Sequence, residues 1–368
     1  MYMTCIWYTG ALVQVLSMQA LLFVLQASAS VPHAYPFEPN HAVTTVHVVS
    51  SAHLDVGYKY PYIAEVLSEW FSQWIPDSIA LSERLRAEGG PLRHRWTMSP
   101  WVASFYMRCP AAGGAQWSGD VDGTRPTFRL HCPNATMVQR FKAAVSRGDI
   151  SFYASAFCTV YEYADAELLS WISDFVHDVG REAGQQHVST VVSQRDEPGV
   201  SRAAIPLLKK RGVTGLTMGV DWASPMADVP RAFVWRDRSS GEELLVAWHN
   251  YGYGGGGNSG RAGTWPGPYN MSDAANMSGP DWCMTQPPAG QTCNSTLSLP
   301  GLPDALAYFI QNDNHGPPTV AQMEHYYGVL RKMFPAAELV SSTYEAFFAE
   351  LDKVRHTLPV VEEEIGDT

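Results

Sequence analysis

Val46-His47-Val48-Val49-Ser50-Ser51-Ala52-His53-Leu54-Asp55-Val56-Gly57-Tyr58 is a β-branched apolar run that ends in His-x-Asp-x-Gly. A run of this kind reads as the buried first strand of an α/β fold. Alternate residues of an extended segment point the same way. His53 and Asp55 therefore leave the strand end on one side, an imidazole and a carboxylate a few ångströms apart. That pair can hold a divalent metal such as Zn2+, which accepts both donor types. Gly57 lets the backbone turn sharply or approach a ligand.

Downstream, strand-like and helix-like runs alternate. Ala64 to Glu88 has helical apolar spacing, and Arg95 to Trp101 reads as a second strand. Met137 to Val145 is helical, Asp149 to Cys158 a third strand, and Ala166 to Ala183 helical again. Ser189 to Gln194 and Leu216 to Gly219 are further strands around a short helix, Ser201 to Arg211. Val234-Trp235 and Leu244 to Trp248 read as a hairpin or neighbouring strands. Ala305 to Asn312 is another element, Val320 to Arg331 a helix, Glu338 to Ser341 a strand and Thr343 to Val354 a helix. Residues 250–300, rich in Gly, Pro and Ser, read as a surface insertion. Alternation on this scale implies a mainly parallel sheet, with ligands at the carboxyl ends of the strands.

Length and composition set bounds. The chain has 368 residues, 46% hydrophobic and 12% aromatic, with 25 basic against 36 acidic residues, a net charge of −11. That composition builds a sizeable core and excludes a disordered chain. No basic run stands out, which argues against a nucleic-acid partner. Residues 1–30 carry no charged side chain, and Ala27-Ser28-Ala29 is a small-x-small site. The segment reads as a secretory signal peptide cut near Ala29 or Ser30, with an uncleaved anchor as the alternative, and 31–368 as the mature domain. No later segment is long and apolar enough to span a bilayer. Sequons at Asn134, Asn270, Asn276 and Asn294 fit a secreted or lysosome-like lumenal protein. Cys109/Cys132 and Cys283/Cys293 each flank a short Gly- or Pro-containing segment and can close local loops, leaving Cys158 as a buried thiol.

Three further motifs carry candidate chemistry. Val191-Val192-Ser193-Gln194-Arg195-Asp196-Glu197-Pro198-Gly199 puts Asp196 at a strand tip before a Pro-Gly break. Gln311-Asn312-Asp313-Asn314-His315-Gly316 is a turn dense in groups that hydrogen-bond a sugar. Glu364-Ile365-Gly366-Asp367-Thr368 ends the chain. His249 and His315 lie near strand ends as alternative ligands or polar cleft residues.

Taken in order, from about His47 to Thr368, these motifs resemble glycoside hydrolase family 38, the class II α-mannosidases, and a side branch of it most closely. The resemblance implies an irregular (β/α)7 barrel of mainly parallel strands and a Zn2+ cofactor held by His53, Asp55 and Asp196. It makes Asp196 the nucleophile and Asp367 the acid/base of a retaining glycosidase acting on a carbohydrate substrate. Tyr58 stands where the family has a Trp beneath the sugar, and Asp313, His315 and His249 join it as substrate contacts. The family's fourth zinc ligand lies in downstream helical and β-rich regions that this chain lacks. A metal-dependent polysaccharide deacetylase and a catalytically dead secreted carbohydrate-binding module are the alternatives.

Overall fold

A buried β-branched run must find partners for its main-chain groups on both sides. β1 (Thr45–His53) does so at the centre of a parallel sheet. The structure, a computed structural model, describes residues 39–56, 63–109, 116–117, 128–220, 224, 227–249, 296–313 and 315–365. After β1 the chain forms α1 (Ile63–Glu69), which passes through a π-helical turn, Trp70–Trp74, into α2 (Ile75–Glu88). β2 (Trp96–Met98) follows.

The expected strand Arg95–Trp101 is corrected here. Ser99 turns the chain: its Oγ accepts from Trp101 N at 3.2 Å, and Pro100 opens α3 (Pro100–Met107). A Ser N-cap followed by Pro at the first helical position overrode the apolar run. A small hairpin, β3 (Gln116–Trp117) and β4 (Phe128–Arg129), leads to α4 (Ala135–Arg147), capped by Asn134. The disulfide Cys109–Cys132 closes the segment around this hairpin, as the sequence suggests, and Cys158 is free. Cys283 and Cys293 lie outside the described residues.

β5 (Ile150–Phe152) is shorter than the expected Asp149–Cys158, because Ser155 Oγ bonds Phe157 O at 2.7 Å and turns the chain. α5 (Ala166–Ala183), β6 (Val191–Glu197), α6 (Ile205–Lys209) and β7 (Gly215–Val220) continue the alternation. β8 (Ala232–Arg236) and β9 (Glu243–His249) form the expected hairpin. The chain then gives β10 (Thr296–Leu297), β11 (Asp304–Asp313), α7 (Val320–Met333), β12 (Glu338–Ser341), α8 (Tyr344–Lys353) and β13 (Val360–Val361). No helix among the described residues is long and apolar enough to cross a membrane.

The strands make two sheets. One runs β10-β11-β1-β2-β5 with β12 also beside β1; the other runs β13-β8-β9-β7-β6. Ala154 N bonds Val191 O at 2.8 Å and ties the β5 edge to β6. The fold class is therefore mixed α/β with mainly parallel strands. A continuous ring of seven strands is not formed among the described residues. β8 and β10 each pair antiparallel, an irregularity within a mainly parallel set of strands.

Both sheets share an inner core. Val49, Val191, Leu245, Leu306 and Tyr308 meet Tyr344, Phe347 and Phe348 of α8 there. The alternate residues Val46 and Val48 instead face α7. The inward positions of β1 are thus His47, Val49, Ser51 and His53. At the amino end His47 bonds Ser342 Oγ (2.8 Å) and Asp304 Oδ1 (3.0 Å). At the carboxyl end stands His53.

A buried imidazole outside this inner core gives a testable pH effect. His94 is 5% exposed; its Nε2 meets Ser78 Oγ at 3.0 Å and its Nδ1 has no partner among the described residues. Burial holds its pKa down, from 6.5 to about 4. The unfolded chain takes this proton first. Its contribution is complete above pH 6.5 and is lost as pH falls through about 4. The full loss is roughly 3 kcal/mol. Denaturant unfolding between pH 7 and 4 is expected to show a shallower decline in His94→Gln than in wild type; parallel curves refute the assignment.

Candidate functional site

The site is built from strand ends. His53, the last residue of β1, is 7% exposed, and its Nε2 lies 3.1 Å from Asp55 Oδ1. The expected i, i+2 convergence is present. Burial, the largest influence, opposes charge on His53, yet hydrogen bonds to Asp55 and Cys158 hold its pKa well above 6.5. Cys158 is half-buried, and its Sγ is 3.9 Å from Ser193 O. This thiol therefore links the end of β1 to β6, a contact that its apolar sequence context did not reveal.

Two register slips shape the rest. On β6, Arg195 pairs with Gly219 and Glu197 with Val220, so Asp196 is an extra residue. Met218 and Val220 belong to the outer core beside the helices, which puts Gln194 and Glu197 at outward register positions. The extra residue breaks strict alternation at Asp196, in the way bulges re-aim side chains next to active sites. Asp196 has φ 59°, the one positive φ of a non-glycine among the described residues. Asp tolerates this left-handed conformation better than most residues, at a cost. On β11, Ala52 pairs with Gln311 and His53 with Asp313, which skips Asn312. Without that slip, Asn312 would stand opposite His53.

Beyond Asp313 the loop is seated tightly. A Cβ on Gly316 would lie 2.1 Å from Trp74 Cε3, so only glycine lets this backbone press on the indole. His315, just before it, is half-buried. His249 closes β9 as the register partner of Gly219. The side chains of His249 and Asp313, and residues Tyr58 and Asp367 altogether, lie outside the described residues.

Beneath this rim the inner face is polar. Thr97 Oγ1 and Ser151 Oγ meet at 2.9 Å, and Arg195 lies among Ser193, Thr217, Tyr308 and Tyr344. The sequence reading passed over Arg195. An arginine in a β-branched run, two residues from an inward Ser, was the available signal.

Zinc's preferences can be set against these groups. The His53 nitrogen and Asp55 oxygen are one N and one O donor at suitable separation. Among the described residues no three His, Cys, Asp or Glu side chains gather closely enough to hold an ion. The fit therefore extends to two donors.

No family model and no curated protein sequence matches the chain. Solved structures do resemble it. An α-mannosidase from Enterococcus faecalis superposes with a TM-score of 0.56 at 13% identity, over 88% of this chain and 31% of that one. A 4-α-glucanotransferase from Thermococcus litoralis gives 0.47 at 11% identity, over 88% and 40%. A glycosyl hydrolase family 38 protein from Enterococcus faecalis also gives 0.47 at 11%, over 87% and 28%. This chain thus spans about a third of the α-mannosidase's length. The class defined is a mixed α/β fold with parallel sheets, of the kind found in that α-mannosidase.

Proposed function

We propose that this chain carries the catalytic region of a retaining, zinc-dependent glycoside hydrolase, α-mannosidase-like, acting on glycans. The observation that carries the reading is Asp196, held at φ 59° on the bulged tip of β6, which Cys158 links to the His53–Asp55 pair. The likeness of fold to the Enterococcus α-mannosidase supports it.

In this reading a retaining enzyme needs two carboxyl groups roughly 5–5.5 Å apart, one to attack the anomeric carbon and one to protonate the leaving oxygen. Asp196 attacks and carries the glycosyl group. Asp367 gives its proton to the departing oxygen, then takes one from the incoming water. His53 and Asp55 are the two residues placed to hold zinc; the reading adds Asp196 as a third ligand, which does not gather with them in this structure. The bound ion would polarise sugar hydroxyls and keep neighbouring carboxylates ionised. Tyr58, Asp313, His315 and His249 orient the sugar, Tyr58 by its aromatic face. A secreted or lumenal setting suits the Cys109–Cys132 disulfide and the exposed sequon residue Asn134.

Incubation with an activated fluorinated mannoside should label the protein once, and peptide mapping should find the sugar on Asp196. Release of acetate from acetylated glycans with no labelled Asp196 would instead identify a deacetylase.

A further inference from the structure

Arg195 sits on the inner face of β6 and is 5% exposed. Its Nε donates to Ser193 Oγ at 3.2 Å, and its Nη2 donates to Thr217 Oγ1 at 2.5 Å and to Tyr344 OH at 3.3 Å. The guanidinium carbon lies 4.8 Å from the centre of the Tyr308 ring and 5.7 Å from that of Tyr344. Every one of these partners is neutral. Nη1 is buried and meets no acceptor among the described residues.

This is an unbalanced set of groups. A guanidinium keeps its proton in any protein, so the charge stays. A buried charge is tolerated when a counter-charge and full hydrogen bonding accompany it, and among the described residues Arg195 finds neither. The hydroxyls that accept from Arg195 also carry protons of their own to place. Tyr153 and Tyr308, both buried, feel the charge of Arg195 as well, and Arg231 adds a second positive group beside Tyr308. Donors and positive charge accumulate at one spot, and what is missing is an anionic acceptor at Nη1. The two tyrosine rings beside the guanidinium favour a compact occupant over a branched or planar one.

We propose that Arg195 Nη1 holds a small monovalent inorganic anion, chloride in the first instance, in the inner core directly below the Asp196 bulge. The anion supplies the missing charge and the missing acceptor together. It also ties Ser193, Thr217 and Tyr344 through one guanidinium, so its presence stiffens the tip of β6. This inference does not depend on the glycosidase reading.

The test uses the whole protein. Thermal unfolding is compared in sodium chloride and in sodium gluconate, an anion too bulky for the site, at equal ionic strength. Wild type is expected to melt about 2–4 °C higher in chloride, as a ligand specific to the native state requires. Arg195→Met is expected to show no difference between the two salts. In wild-type crystals grown with bromide, an anomalous peak should lie within hydrogen-bonding reach of Nη1. That peak needs no variant, so it decides the matter if Arg195→Met does not fold. Absence of bromide at Nη1 overturns the proposal, as does an equal chloride effect in a folded Arg195→Met.

Discussion

Asp196→Asn and Asp196→Gly are each expected to fold with stability at or slightly above wild type while turnover of α-mannosides falls by at least about 10⁴-fold. The two halves have separate physical origins. Asp196 occupies the left-handed region at φ 59°. An L-residue there costs roughly 1–2 kcal/mol, with Asn among the most tolerant side chains and Gly free of the steric term. Neither replacement adds strain, and Gly removes some, offset by its greater freedom in the unfolded chain. Neither can form or release a glycosyl ester. Asp196→Ala is the informative contrast, because it loses turnover and also pays the left-handed cost without a polar side chain to soften it. Its melting temperature should lie below that of the other two. Backbone strain kept at a carboxylate on a strand end points to function. Retained turnover in Asp196→Asn would take the carboxylate out of the chemistry. A large stability loss in Asp196→Gly would mean that the conformation serves the fold instead.

The strand ends were legible in the sequence to the extent that local chemistry set them. The run Val46–His53 had one buried solution, and the i, i+2 spacing of His53 and Asp55 fixed their convergence at 3.1 Å. Ser99-Pro100 was equally local, but it was masked by the apolar residues around it and read as strand. The two register slips were not legible. A bulge depends on how neighbouring strands pair, and nothing in Arg195-Asp196-Glu197 or Gln311-Asn312-Asp313 alone shows that one residue will be skipped. Those slips set the register positions of Asp196 and Asp313 at the strand ends. Cys158 shows the same limit: it lies near His53 only because the chain turns at Ser155 and Phe157 after β5. Closure of the strands into a ring is also a long-range property. The sequence suggested an irregular seven-stranded barrel of mainly parallel strands; the described strands are mainly parallel and pair as two sheets around one core, with β8 and β10 antiparallel.

Purified wild-type protein is expected to retain about one zinc ion per chain after dialysis, and His53→Ala and Asp55→Ala to retain almost none. The argument starts from the desolvated position of His53. At 7% exposure the imidazole reaches Asp55 and Cys158, two protein groups that restrain it. A ring restrained in this way presents its donor atom without further loss of freedom, which is what a metal ligand requires. Removing either member of the pair takes away half of the two-donor set. Cys158→Ser separates ligand from support. If the thiol only orients His53, the serine variant should still bind zinc, with affinity lowered roughly 10–100-fold. If Cys158 is itself a ligand, its zinc content should fall as far as in His53→Ala. Zinc added to the stripped protein should raise the melting temperature of wild type and of Cys158→Ser, but not of the His53 and Asp55 variants. Equal zinc in wild type, His53→Ala and Asp55→Ala would place any metal elsewhere in the chain and leave the His53–Asp55 contact a hydrogen bond at the end of a strand.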